Sequence, residues 1–181
     1  MKPILCFIIM ATILPAIAFA QKNEFPQSWV GDWKGELHWY KGATGEPRKV
    51  KMEIRIHPAG NAGKYSWQIV YGSMDSSGKD TVDIRPYLLT AKDEAKGHWL
   101  IDENNGIVLD QFWVAGKFCG AFTVGNSTIV NSYWIENGKL LVEFFSLSAK
   151  PIATTGKGTS DSPSVDSYKM ATYQKAVLVK Q

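Results

Sequence analysis

Two cysteines and three histidines are all that this 181-residue chain carries of either type. Cys6 lies within an apolar run at the N-terminus, which leaves Cys119 without an intrachain partner. No disulfide framework holds the fold, so a hydrophobic core must. Cys119 itself is expected to serve as a small buried apolar residue. His38, His57 and His98 stand apart from one another. None sits at metal-ligand spacing, and each falls on the polar face of its segment. The chain lacks a Gly-x-Ser-x-Gly elbow, a phosphate-binding glycine loop and a Cys-x-x-Cys pair. No catalytic residue, metal site or cofactor is therefore expected. Charge of one sign is not in excess either. Basic residues number 20 and acidic ones 17, a net of +3 that is too balanced to point to nucleic acid. No stretch of a dozen residues repeats with the helical period. Apolar residues make up 45% and aromatic residues 12%, ample for a packed core and against disorder.

Long hydrophobic runs are missing too, except at the start. Residues 1–20 carry one positive charge, Lys2, and then an apolar run that ends Ala18-Phe19-Ala20. A charged leader, an apolar middle and small residues around a bulky one form the pattern of a secretory signal peptide. A membrane anchor is the other reading. The run is shorter than the ~20 residues a span requires, and Pro15 interrupts it. The expectation is cleavage after Ala20, a secreted or periplasmic protein, and no membrane span after cleavage. Residues 21–181 then form a single domain.

What is present in quantity is alternation at period two. In residues 49–57, Val50, Met52, Ile54 and Ile56 face one way, while Lys49, Lys51, Glu53, Arg55 and His57 face the other. Residues 33–39 and 65–71 read the same way. Residues 81–85 continue the series, Pro86 marks a bulge or an edge, and 87–90 resume it. Asn105-Gly106 and Asn137-Gly138 fall between alternating runs, the strongest short hairpin signal, because both turn positions require positive φ. Gly116 and Gly125-Asn126 mark further turns. Residues 148–164 are rich in Ser, Thr, Gly and Pro and read as a long surface loop. The last strand covers about 165–179.

Some ten strands joined by tight turns make an antiparallel meander. Closing it removes two exposed edges, so the expected fold is all-β, an up-and-down barrel of 8–10 strands. A two-sheet sandwich needs more long crossovers than the one at 148–164. An outer-membrane barrel needs an uncharged outer band, whereas the charged face of residues 49–55 implies a charged exterior around an apolar interior.

Gly31-Asp32-Trp33 at the head of the first strand, within Trp29-Val30-Gly31-Asp32-Trp33-Lys34-Gly35, resembles the opening of the calycins: lipocalins, fatty-acid-binding proteins and avidin-like proteins. The resemblance implies a barrel whose Gly permits a sharp bend and whose Trp plugs the closed end. It also implies a ligand in the lumen. Many lipocalins cap that Trp with a late arginine. No Arg follows Arg85 here, so Lys169 or Lys175 would take that place.

Hairpin registers indicate which residues share the interior. Taking 137–138, 125–126 and 115–117 as the loops places Val108, Asp110, Phe112, Val114, Phe118, Gly120, Phe122, Ile129, Asn131, Tyr133, Ile135, Leu140, Val142 and Phe144 on one face. From these, Asp110, Phe112, Gly120, Phe122, Asn131, Tyr133 and Phe144 are the candidate ligand-binding residues. Aromatic walls with a few convergent polar groups describe a small-molecule pocket, and the expected ligand is small and largely apolar. A structural polar cluster holding water is the alternative. Trp113, Trp134 and Phe145 fall on the outer face, where they could dock a protein partner on a solidly packed barrel or be covered by the N-terminal segment or residues 148–164. The remaining reading is a small hydrolase or isomerase with Asp110 and Tyr133 as acid and base.

Overall fold

A computed structural model describes residues 25–42, 45–60, 63–74 and 80–181. The proposed signal peptide, residues 1–20, lies outside the described residues. A short 3-10 turn, Gln27–Trp29, leads into strands β1 (Gly31–Lys41), β2 (Arg48–Pro58), β3 (Lys64–Met74), β4 (Asp80–Asp93), β5 (His98–Asp102), β6 (Val108–Val114), β7 (Lys117–Val124), β8 (Ser127–Glu136) and β9 (Lys139–Ser148). Two short strands, β10 (Ala153–Thr155) and β11 (Val165–Ser167), precede the last strand, β12 (Met170–Lys180). The order β1-β12-β9-β8-β7-β6-β5-β4-β3-β2 closes into a ten-stranded antiparallel barrel. The expected fold class is correct. Closure is made by β1 against β12, nine residue pairs from Trp33↔Lys180 to Lys41↔Thr172. Among the described residues no helix is long and apolar enough to cross a membrane.

Alternation sets the faces as expected in β2, where Met52, Ile54 and Ile56 are fully buried. β4 runs unbroken through Pro86 for 14 residues. The proline is tolerated because pairing of β4 with β5 begins only at Leu88↔Asp102, so the strand has a free side there. The 148–164 segment is not wholly irregular. β10 pairs with β11 in a small ribbon apart from the barrel, and β12 starts at Met170.

Three turns decide the registers. Asn137-Gly138 joins Glu136 to Lys139, and Gly125-Asn126 joins Val124 to Ser127, both as expected. The β6–β7 turn differs. Its loop is two residues, Ala115-Gly116, with φ of 49° and 82°, and Val114 pairs with Lys117. The expected three-residue loop placed Val114 opposite Phe118. One residue of difference turns all of β6 over.

The barrel is packed at one end. Trp29, Trp67 and Phe118 are fully buried there, with Trp33, Trp99 and Phe25 nearly so. Phe25 enters from the N-terminal segment and stacks on Trp113 with centroids 4.7 Å apart, its edge towards Trp29 and Trp99. Trp33 Nε1 donates to the Trp29 carbonyl at 2.8 Å, tying the plug to the first strand. Gly31 takes a φ of 138° at this bend, a conformation that side chains disfavour. The residue over the Trp33 ring is Lys180, with Nζ 5.4 Å from the centroid, rather than Lys169 or Lys175. Lys175 lies over Tyr40 instead.

Candidate functional site

The other half of the barrel is open. A cavity of about 1070 Å³ occupies it, lined by the mouth-side halves of the strands. Leu37, Val50, Ile69, Ile101, Leu109, Phe122, Ile129 and Phe144 supply apolar walls, and Trp39, Tyr71, Tyr87 and Tyr133 add aromatic ones. Charged groups are few: Arg48, Asp83, Arg85 and Glu103. Alternation explains the arrangement. On β3 the inward residues Trp67, Ile69 and Tyr71 pair with Tyr87, Arg85 and Asp83 of β4, so those three also face inward.

Five of the seven candidate residues fall on the lumen side of the wall. Phe122, Asn131, Tyr133 and Phe144 line the cavity, and Gly120 borders it. Gly120 has a steric reason to be glycine. A Cβ there would overlap the Gln111 amide. Gln111 and Asn131 are both buried and exchange hydrogen bonds, Asn131 Nδ2 donating to Gln111 Oε1 at 2.9 Å and Gln111 Nε2 to Asn131 Oδ1 at 3.4 Å. Burying two amides face to face satisfies groups that would otherwise carry a large desolvation cost.

Asp110 and Phe112 do not belong with them. The turned-over β6 sends both to the outer surface and brings Leu109, Gln111 and Trp113 inside. Asp110 is an exposed carboxylate there, 2.6 Å from His98 Nε2 and 3.2 Å from Lys92 Nζ. The hydrogen bonds from His98 and Lys92 hold its pKa below the usual aspartate value. Phe112 stacks on the His98 ring at 4.6 Å. Asp110 and Tyr133 therefore lie on opposite sides of the wall and cannot act as an acid–base pair on one substrate. Trp113 likewise leaves the proposed outer patch, since it packs inside against Phe25. Trp134 stays outside beneath Lys117, whose Nζ is 4.1 Å from its ring, and Phe145 packs against Tyr173. Cys119 is half-buried on the outer face, its thiol 3.6 Å from the Phe112 carbonyl.

Arg85, Tyr71 and Tyr87 were not among the expected site residues. Their signal was present in the alternation of residues 65–71 and 81–87, once β3 and β4 are paired. Arg85 lies 5.2 Å from the Tyr71 ring centroid, donates from Nε to Asp83 at 3.3 Å, and hydrogen-bonds Tyr87. Tyr87 also bonds Glu103. Burial pushes the Tyr71 phenol up to about 12, offset in part by the Arg85 charge. Burial also raises Tyr133, which lies deep among rings. Both phenols stay neutral hydrogen-bonding groups at physiological pH. Among the described residues no group of three His, Cys, Asp or Glu is placed to hold a metal ion.

No protein-family model matches the chain, and no curated protein matches it. The fold is similar to that of a solved structure, the S-type phycobiliprotein lyase CPES from Guillardia theta. The TM-score is 0.57 and the identity 12%, over 86% of this chain and 89% of that one. At that identity the likeness concerns the fold, a barrel compatible with the calycin resemblance of the first strand.

Proposed function

We propose that this chain is a ligand-holding barrel that carries a small, largely apolar molecule in the open half of its lumen. The observation that carries this reading is the cavity itself. Its volume, about 1070 Å³, is at the upper end of small-molecule sites, and its walls are hydrocarbon and aromatic rings with a few polar groups at fixed places. The opposite end is stoppered by the chain's own N-terminal aromatics, so the pocket opens from one side. A barrel built only for stability would fill this half as densely as the other. The likeness to the phycobiliprotein lyase fits the reading at the level of architecture.

Titration of the pure protein with fatty acids, retinoids and haem, followed by tryptophan fluorescence, tests it. Trp39 lines the cavity and reports occupancy. At least one class is expected to give a saturable change at one ligand per chain. No saturable change from any class would contradict the proposal.

The proposed site of action is outside the cytosol, in the periplasm or secreted, after loss of residues 1–20. Terminal sequencing of the protein from its own cells is expected to begin at Gln21. A chain that retains Met1 and stays in the cytosol would contradict this part alone.

A further inference from the structure

The wall made by β3 and β4 places a guanidinium, about half exposed, in a largely apolar cavity whose other charged groups are Arg48, Asp83 and Glu103. Arg85 sits across the Tyr71 ring, with Tyr87 two residues on along the same face. Two carboxylates share the cavity with it, Asp83 and, beside Tyr87, Glu103. Asp83 meets it only at Nε, at 3.3 Å, and both side chains of that pair are half exposed or more. Such a pair is weak, because water screens it. A guanidinium has five donors, and its planar fork accepts a carboxylate or sulfonate with two parallel bonds. The phenol of Tyr71 stands beside it as a neutral group that can donate to an anion without repelling it, whereas the Tyr87 proton is directed to Glu103.

Resting on the ligand-holding reading above, we infer that the molecule held is an amphiphile with an acid group, and that Arg85, beside the phenol of Tyr71, binds that group while the apolar body lies along Leu109, Phe122 and Phe144. The second arginine of the cavity, Arg48, starts β2 beside Trp39 at the mouth. It lies on the neighbouring strand of Tyr71 but beyond the paired stretch of β2 and β3, which begins at Lys51↔Gly72, and takes no part in the anchor.

Two dyes that share one apolar body separate the terms. 8-Anilino-1-naphthalenesulfonate carries an anion, and N-phenyl-1-naphthylamine is the same skeleton without it. Both are expected to bind the native chain. Arg85→Met is expected to weaken the sulfonate about ten-fold, the loss expected of one charge-assisted contact, and to leave the neutral dye within about two-fold. Arg48→Met is expected to leave both dyes within about two-fold. Retained binding of the neutral dye also certifies that each variant is folded. If both dyes bind and Arg85→Met weakens them equally, or weakens neither, the anion anchor is wrong while the ligand-holding reading stands. If Arg48→Met alone weakens the sulfonate, the anchor is misplaced and the inference fails. If neither dye binds the native chain, the pocket reading fails and the anchor falls with it.

Discussion

Two buried phenols set the behaviour of this chain at high pH. In the unfolded chain a tyrosine ionises near 10. In the barrel, burial holds Tyr71 neutral to about 12 and raises Tyr133 as well. A group whose pKa is raised by folding contributes stability that is present below its unfolded value and lost as pH climbs through the folded one. Stability is therefore expected to fall between pH 10 and 12, with Tyr71 accounting for roughly 3 kcal/mol of the loss. Near-ultraviolet absorbance during an alkaline titration should show Tyr71 and Tyr133 ionising only as the barrel unfolds, while Tyr87 and Tyr173 are raised as well. Tyr71→Phe should shift the alkaline unfolding midpoint upward. Ionisation of all tyrosines together near 10, with the fold intact, would contradict the burial described. Asp110 shows how an accurate residue-level argument can fail through its neighbours. A carboxylate among hydrocarbon requires a partner, and Asp110 has two, but it has them in solvent on the other side of the wall.

The strand is where sequence and structure agree best, and the turn is where they part. Period-two alternation in β2 places Val50, Met52, Ile54 and Ile56 inside without ambiguity. Asn-Gly and Gly-Asn turns fix β7, β8 and β9 correctly, because those residues reach positive φ at little cost. Ala115 gives no such signal. Its side chain disfavours the φ of 49° that it adopts, so the local residues suggest a longer loop, and β6 is assigned the wrong face. Gln111 and Trp113 were lost to the interior for that reason alone. The turn itself offers a test. Asn at the first position of such a turn removes part of the strain without adding freedom to the unfolded chain. Ala115→Asn is expected to stabilise the barrel by about 0.5–1 kcal/mol, read as a higher urea midpoint with an unchanged slope. A lower midpoint would mean that the β6–β7 turn does not have this geometry.

Across the whole molecule, the chain divides its barrel between two tasks. The end bearing Trp33, Trp67, Trp99 and Phe118 is filled by aromatic rings, including Phe25 and Trp29 from before the first strand. The mouth-side half keeps a lumen. Closure was legible in advance, since a meander of ten strands with two bare edges is unstable until its ends meet. The division was not, because it depends on which inward residues meet around the circumference, and that follows from ten registers at once. Arg85 illustrates the point. It reads as one more charge on a strand until Tyr71 and Ile69 are placed beside it. The mouth-side lumen is proposed to hold a guest. The direct measurement is an experimental structure of the protein purified without denaturation from its own source. It is expected to show continuous density between Arg85 and Phe144 that no side chain of the chain explains. Phe122, Ile129 and Phe144 closed across an empty, collapsed lumen would contradict it.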